Sequence, residues 1–248
     1  MMFPGWDPIL ELPPLLKLPK ASNLMFTGII EAIGTINAIN INDQGARLVV
    51  GSGKLDMSDV HLGDSISTNG ICLTVVAFDD ASYSVDVSKE TLTRTGFANY
   101  QAGHQVNLEK AMLPTTRFGG HIVSGHIDGV AHIESITHNG NSIEYWVSMP
   151  VDLAPYISEK GSVTIDGISL TVNSVVDNSE GGKFRLTIVP HTTGQTIIKN
   201  YQVGTKVNLE VDVIARYLER LLLKKSPGTD KKASSITAAL LMKSGFVK

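Results

Sequence analysis

A seven-residue segment, Asn69 to Val75, recurs almost unchanged as Asp166 to Val172. The offset between the copies, 166 minus 69, is 97. The same offset carries Gly28 to Glu31 onto Gly125 to Asp128, which agree in chemical character. Because separate segments keep one spacing of about a hundred residues, the sequence predicts two copies of one domain and not an array of short repeats.

Length and charge restrict the class of protein. The 248 residues are enough for two domains of about 100 residues each. The net charge is only -3 and the charges are interspersed, so small ligands are favoured over nucleic acid. The single cysteine, Cys72, excludes an internal disulfide and a cysteine metal cluster, and it fits a reducing, cytoplasmic setting. The chain lacks the roughly 18 consecutive apolar residues typical of a membrane-spanning helix, so no membrane association is expected.

The chain is predicted to divide into five parts. Residues 1–24 are a proline-rich extension outside the repeat, and we expect activity without them. Prolines and an acidic residue interrupt this extension, which argues against a secretory signal. The first domain occupies 25–120 and the second 121–211, followed by a helix at 212–225 and a tail at 226–248.

Short runs rich in Ile, Val and Thr, broken by Gly, Asn and Asp, predict strands within each copy. Examples are Arg47 to Val50, Ser65 to Thr68, Leu73 to Phe78 and Tyr83 to Val87. Closely spaced short strands indicate a small barrel or sandwich, and a barrel is favoured because closure removes exposed sheet edges. Near the end of each copy the offset grows to 101, and a hairpin loop at 177–182 is predicted to hold the extra residues.

Periodicity changes after Asp212, where Val213, Leu218 and Leu222 mark an apolar stripe typical of an amphipathic helix. Two complete barrels would already have their own cores. The helix is therefore expected to pack against a barrel or against the same helix of another subunit. A weak helix is also expected within the final segment, 236–246.

Five residues are candidates for chemistry, and each also has a structural explanation. Cys72 is replaced by Ser169 in the second copy, and a lone cysteine can be a buried apolar residue or a reactive thiol. His126 is a candidate general base or a structural histidine. His121 lies five residues before it, which in a strand places the two side chains on opposite faces, so they are not expected to form a metal pair. Asp212 exists in one copy only and can cap the helix that follows it.

Four segments together resemble riboflavin synthase of the type with two lumazine-binding repeats: 25–31, 69–75, 119–126 and 166–172. The similarity covers residue 25 to about residue 224. The resemblance implies an all-β chain of two tandem six-stranded Greek-key β-barrels with a C-terminal α-helix. It also implies a homotrimer whose helices associate, with each site between the N-terminal barrel of one subunit and the C-terminal barrel of its neighbour.

The implied reaction is a dismutation of two molecules of 6,7-dimethyl-8-ribityllumazine, in which a four-carbon unit moves to give riboflavin and 5-amino-6-ribitylaminouracil. No metal or cofactor is implied, and lumazine synthase is a candidate partner. The non-enzymatic alternatives are a lumazine-binding antenna protein and a riboflavin carrier.

The resemblance also assigns site residues. The implied substrate contacts in the N-terminal barrel are Gly28, Ile29, Ile30, Cys72, Leu73, Thr74, Lys89, Glu90 and Thr91. Those in the C-terminal barrel are Gly125, His126, Ile127, Lys160, Ser169, Leu170, Thr171, Val189, Pro190, His191 and Thr192. The implied catalytic residues are Cys72, His126, Ser169 and Asp212. His126 would assist proton removal from the C7 methyl of one lumazine, and Cys72 and Ser169 would stabilise the adduct on the other.

Overall fold

The structure, a computed structural model, describes residues 25–179 and 181–223. The first repeat contains β1 (Ala32–Asn42), β2 (Gly45–Gly51), β3 (Ser65–Thr68), β4 (Ile71–Phe78), β5 (Ser82–Ser88), α1 (Lys89–Arg94), a 3₁₀ turn (Gly96–Asn99) and β6 (Gln105–Lys110). The second contains β7 (Gly129–Asn139), β8 (Ser142–Ser148), a 3₁₀ turn (Ala154–Tyr156), β9 (Ser162–Ile165), β10 (Ile168–Val176), β11 (Lys183–Ile188), α2 (Pro190–Gln195), a 3₁₀ turn (Ile197–Asn200) and β12 (Lys206–Val211). Helix α3 (Val213–Leu223) follows.

Each repeat closes into a six-stranded antiparallel barrel. The order of hydrogen-bonded strands is β1-β2-β5-β4-β3-β6 in the first barrel, and the second repeats this order with β7 to β12. The non-sequential order is that of a Greek key, in which a later strand returns beside an earlier one. The predicted fold of two tandem Greek-key barrels with a C-terminal helix is therefore confirmed.

Alternation along the strands builds each core. In β2, Ala46, Leu48 and Val50 are buried, whereas Arg47 between them faces solvent and pairs with Asp86 of β5 at 2.7 Å. Alternate residues of a strand point to opposite sides of the sheet, so the apolar set fills the barrel. Each barrel consequently has its own apolar core.

A tight turn after the third strand of each barrel explains part of the repeated segment. Asn69 and Gly70 have φ of 49° and 81°, and Asp166 and Gly167 have φ of 46° and 81°. Two successive positive φ angles define a type I′ turn, which Asn-Gly and Asp-Gly adopt most readily. A Cβ on Gly70 would lie 2.7 Å from the nitrogen of Gly167, so the two turns meet where the barrels face each other.

Reciprocal hydrogen bonds join the barrels. The side-chain amide of Asn107 on β6 donates to the backbone oxygen of Asp166, and that of Asn208 on β12 donates to the backbone oxygen of Asn69, both at 3.0 Å. The two asparagines occupy equivalent positions in the repeat. The barrels are therefore related by an approximate two-fold axis.

Most predicted elements are confirmed, with one local error. The predicted strands at 47–50, 65–68, 73–78 and 83–87 lie within β2, β3, β4 and β5. Strands β10 and β11, on either side of the predicted hairpin loop, pair antiparallel, and residue 180 of that loop lies outside the described residues. The polar segments 89–92 and 190–193, for which the sequence predicts no helix, begin the short helices α1 and α2. Ser88 accepts the backbone N–H of Thr91 and so caps α1, which stabilises helical geometry after a strand.

The described residues up to Val213 belong to one compact unit, and a second unit starts at Ile214. Helix α3 carries Tyr217, Leu218 and Leu221 as exposed side chains. The expectations for 1–24, for the helix beyond 223 and for the tail lie outside the described residues. Within the described part of the chain, no helix has both the length and the apolarity to cross a membrane.

Candidate functional site

Two extended segments cross between the barrels, residues 26–30 (the first crossing segment) and residues 123–127 (the second crossing segment). Phe26 and Val123 pair in an antiparallel bridge with N···O distances of 2.8 and 3.1 Å. Because 123 minus 26 is the repeat offset of 97, equivalent residues meet at this bridge. The approximate two-fold axis therefore passes between them.

Each crossing segment lies against the strand of the opposite barrel. The backbone N–H of Ser169 on β10 donates to the oxygen of Gly28 at 2.8 Å, and that of Cys72 on β4 donates to the oxygen of Gly125 at 2.9 Å. The resemblance groups Gly28 with the N-terminal barrel and Gly125 with the C-terminal one, whereas these backbone hydrogen bonds join each glycine to the opposite barrel.

Apolar packing follows the same exchange. Ile30, from the first repeat, packs against the core of the second barrel, and Ile127, from the second repeat, packs against the core of the first. Ile29 is about half exposed beside the first crossing segment. The two segments are thus exchanged between barrels in both their hydrogen bonds and their packing.

Glycine is required where the segments touch these strands. Gly28 has a φ of +75°, and a Cβ there would lie 2.6 Å from the Cβ of Ser169. Gly125 has a φ of +76°, and a Cβ there would lie 2.6 Å from the Cβ of Cys72. Both glycines satisfy an unusual backbone angle and a close approach at once. Cys72 and Ser169 thereby occupy matching environments.

Cys72 is half-buried, and its surroundings favour the neutral thiol. Burial raises the pKa of this thiol above its ordinary value, a hydrogen bond with Ser65 opposes the rise, and the carboxylate of Glu210 adds to it. Nucleophilic attack requires the thiolate. The site therefore suits Cys72 as a weak hydrogen-bond donor more than as a nucleophile.

Ser169 has a histidine partner that the sequence reasoning did not place in the site. Its Oγ lies 2.7 Å from Nδ1 of His121, whose side chain is buried. Burial lowers the pKa of His121, and the nearby Asp212 carboxylate opposes this, so the imidazole is neutral near pH 7. Nε2 of His121 is buried without a hydrogen-bond partner among the described residues.

The only sequence signal for this pair is that His121 belongs to the Gly119-to-His126 motif that carried the family resemblance. The chain around His121 lies against Thr27. Its backbone N–H donates to the oxygen of Thr27 at 3.2 Å, and a Cβ on Gly120 would lie 2.1 Å from that same oxygen.

His126 lies apart from this pair. Its side chain is exposed, and its backbone N–H donates to Oγ of Ser124 at 3.2 Å. The opposite environments expected for His121 and His126 are present, although the segment is not a regular strand and the positive φ of Gly125 contributes to the change of direction. The exposed imidazole is available to a ligand or to another subunit.

The remaining predicted contacts lie mainly on the strands and rims. Thr74 and Thr171 are exposed on β4 and β10, Leu73 is buried and Leu170 is half-buried. Lys160 is exposed with a φ of +67°. Lys89, Glu90 and Thr91 begin α1, whereas Val189 precedes α2, and Pro190, His191 and Thr192 begin it.

A cavity of about 470 Å³ lies beside the first crossing segment. Its lining includes Ile29, Ser65, Lys110 and Met112, of which only Ile29 was predicted to be a site residue. Lys110 is engaged by Asp59 at 2.6 Å. Within the described residues, no group of three His, Cys, Asp or Glu side chains is arranged to hold a metal ion.

The described arrangement matches one known family of domains. The model of the family described as "Lumazine binding domain" matches twice, at residues 27–111 and 124–212. The two matches coincide with the two barrels.

Curated relatives share most of the chain. A riboflavin synthase from Photobacterium phosphoreum is 55% identical over 223 residues, covering 90% of this chain and 100% of the relative. A riboflavin synthase from Bacillus subtilis (strain 168) is 41% identical over 222 residues, again covering 90% of this chain and 100% of the relative. One from Saccharomyces cerevisiae is 41% identical, covering 80% of this chain and 87% of the relative.

Solved structures with the same fold are more distant in sequence. LumP complexed with 6,7-dimethyl-8-(1'-D-ribityl) lumazine matches with a TM-score of 0.67 and 26% identity, covering 75% of this chain and 99% of that one. LumP complexed with riboflavin matches with a TM-score of 0.69, the same identity and the same coverage.

Proposed function

The chain belongs to the riboflavin synthase family, and we propose that its two barrels bring a Cys72 pocket and a Ser169 pocket to one reaction. The enzyme transfers a four-carbon unit between two molecules of 6,7-dimethyl-8-ribityllumazine, which gives riboflavin and 5-amino-6-ribitylaminouracil. The observation that supports the division of roles is that equivalent glycines hold Cys72 and Ser169 in matching backbone positions with different side chains.

Two pockets of one design suit a reaction between two copies of one substrate. Each pocket can bind the same ring, and holding both reactants in position removes much of the entropic barrier to their encounter. One lumazine must donate the four-carbon unit and the other must accept it. The Cys72 and Ser169 side chains are the difference that makes the pockets unequal.

Ser169 is proposed to work with His121. A neutral imidazole 2.7 Å from the hydroxyl can accept its proton, so Ser169 can act as a polarised hydroxyl toward the bound ring. Asp212 raises the pKa of His121 and would stabilise the imidazolium formed when a proton arrives. Among the described residues Cys72 is hydrogen-bonded to Ser65 and to no histidine, and its neutral thiol would donate a hydrogen bond to the other lumazine.

His126 is proposed as the base that removes a proton from the C7 methyl of one lumazine. Its exposed position supports contact with substrate at the edge of a pocket. An imidazole can both accept and donate a proton, which suits it to general acid–base catalysis.

Each pocket is proposed to combine residues from both repeats. Gly28 to Ile30 would line the pocket of Ser169, because the first crossing segment lies along β10. Gly125 to Ile127 would line the pocket of Cys72, because the second crossing segment lies along β4. The rims at Lys89 to Thr91 and Val189 to Thr192, together with Lys160, would contact the ribityl chain or ring edges.

A homotrimer completes the proposal. Leu221 and Leu222 of α3 are more than two-thirds exposed, and an apolar helix face of this kind is stabilised when copies associate. Each reaction site would then lie between the N-terminal barrel of one subunit and the C-terminal barrel of the next. The lone cysteine supports a cytoplasmic setting, and lumazine synthase is the proposed partner because it would supply the substrate.

The test is to mix the purified full-length chain with 6,7-dimethyl-8-ribityllumazine and separate the products over time. We expect one riboflavin and one 5-amino-6-ribitylaminouracil for every two lumazines consumed, without added metal or cofactor. A spectral shift that saturates at a fixed ratio of ligand to protein, with no riboflavin formed, would instead indicate a binding protein.

A further inference from the structure

Two buried glutamates hold the crossing segments by the same set of contacts. Glu109 on β6 accepts the backbone N–H and the hydroxyl of Thr27 with Oε1, at 2.6 and 2.7 Å, and the N–H of Gly28 with Oε2, at 2.9 Å. The Glu109 side chain thus accepts three hydrogen bonds from the first crossing segment, and the residue is only 3% exposed.

Glu210 on β12 repeats these contacts on the second crossing segment. Its Oε1 accepts the backbone N–H and hydroxyl of Ser124, both at 2.7 Å, and its Oε2 accepts the N–H of Gly125 at 3.1 Å. This residue is 2% exposed. The duplication has therefore kept both the carboxylate and its three donors.

Burying a carboxyl group at these two positions costs free energy. Burial removes it from water, and this desolvation raises the pKa of Glu109 and of Glu210 to about 7. An apolar side chain can be buried without that penalty, as Leu108 is next to Glu109 on β6. The glutamates do, however, provide directed acceptors that fix a short segment in one register.

The held segments act on the opposite barrel. The oxygen of Gly28 accepts the N–H of Ser169, whereas the oxygen of Gly125 accepts the N–H of Cys72. The contacts of Glu109 therefore extend from the first barrel through Gly28 to β10. Those of Glu210 extend from the second barrel through Gly125 to β4.

We propose that Glu109 and Glu210 are positioning residues that work across the barrel boundary, Glu109 for the Ser169 pocket and Glu210 for the Cys72 pocket. Neither carboxylate is required to touch substrate. Each keeps a crossing segment against the strand that carries the functional side chain of the other barrel. The inference rests on the proposed function and extends it, since it assigns one positioning residue to each of the two pockets.

The single cysteine allows the crossed pattern to be tested in the protein without substrate. Alkylation of Cys72 by iodoacetamide reports the thiol environment at one pocket, and its rate follows the thiolate fraction. In Glu210→Gln, a nearby negative charge that raises the thiol pKa is removed and the crossing segment is loosened. We expect Cys72 alkylation at about pH 8 to rise about threefold or more, with the rate-against-pH profile displaced to lower pH, whereas Glu109→Gln leaves both unchanged.

A reciprocal background supplies the matched control. The double variant Cys72→Ser, Ser169→Cys moves the only thiol to the equivalent position in the other pocket. In this background we expect Glu109→Gln to change the alkylation rate and Glu210→Gln to leave it unchanged. An effect of each glutamate on the thiol of its own barrel, or equal effects of both glutamates on both thiols, would overturn the proposal.

Loss of folding is separated from loss of positioning by milder variants. Thr27→Val and Ser124→Ala each remove one hydroxyl donor and keep the glutamate, and circular dichroism and thermal unfolding check the fold. Ser124→Ala should change the alkylation rate of a thiol at position 72, and Thr27→Val that of a thiol at position 169, each by less than the glutamate variant does. The opposite assignment in folded protein would contradict the inference. Because alkylation needs no turnover, a chain that binds lumazine without converting it would refute the proposed function and leave this result intact.

Discussion

Replacing Gly125 with alanine tests whether the close approach of the second crossing segment creates the Cys72 pocket. The new Cβ would lie 2.6 Å from the Cβ of Cys72 and 3.0 Å from the ring of Phe26, at a φ of +76°. The positive φ costs about 1–2 kcal/mol for an L-residue, and the overlap with packed atoms costs about 1–3 kcal/mol more. We expect a total loss of about 2–5 kcal/mol, a large part of a domain stability of about 5–15 kcal/mol.

Gly103→Ala is the matched control, because Gly103 has a φ of +94° and nothing within 4 Å of its Cβ position. It should lose only the backbone contribution, so the difference between the two variants measures the contact. Urea unfolding gives both free energies, and steady-state riboflavin formation gives the functional effect. Gly125→Ala should lose turnover and Gly103→Ala should retain it. If Gly125→Ala is no less stable than Gly103→Ala, or turns over normally, the assigned contact is wrong.

Three further changes test other parts of the molecule. His121→Ala should lower kcat/KM about a hundredfold or more by removing the proton partner of Ser169, and normal turnover in the folded variant would exclude that role. Burial raises the pKa of Asp166 to about 7. The native state therefore binds the carboxyl proton more tightly than the unfolded state does. The free energy of unfolding consequently falls as the pH rises from about 4 through about 7. Asp166→Asn should remove this share of the fall, roughly 4 kcal/mol as an upper limit. An asparagine fits this position because the equivalent Asn69 donates to the Tyr100 hydroxyl and accepts the backbone N–H of Asn107. An unchanged slope of unfolding free energy against pH would contradict this. Leu218→Glu on α3 should shift the oligomer to monomer in analytical ultracentrifugation and lower turnover with it, and an unchanged sedimentation coefficient would count against the helix-mediated trimer.

Local sequence signals were sufficient for the elements that depend on neighbouring residues. Short runs rich in Ile, Val and Thr, broken by Gly, Asn and Asp, located the strands of the first barrel. The helix after Asp212 followed from its apolar stripe. The short helices α1 and α2 were missed, because six residues carry too little periodicity to distinguish a helix from a turn.

The site residues were predicted unevenly for a similar reason. The contrast between Cys72 and Ser169 was visible because the two copies can be aligned residue by residue. The partnership of His121 with Ser169 was not, because the residues are 48 positions apart and His121 lies just before the part of the repeat that aligns clearly. A buried imidazole next to a hydroxyl is a consequence of packing and has no periodic signature.

The sequence by itself determined that there are two barrels, where their strands lie and which side chain differs between the copies, since these depend on spacing and on neighbouring residues. Only the tertiary structure decided that the crossing segments are exchanged. The two repeats are alike, so Gly28 is chemically suited to either barrel, and local patterns cannot choose between Cys72 and Ser169. Closure of both barrels around one approximate two-fold axis makes that choice, through hydrogen bonds between residues as far apart as 28 and 169.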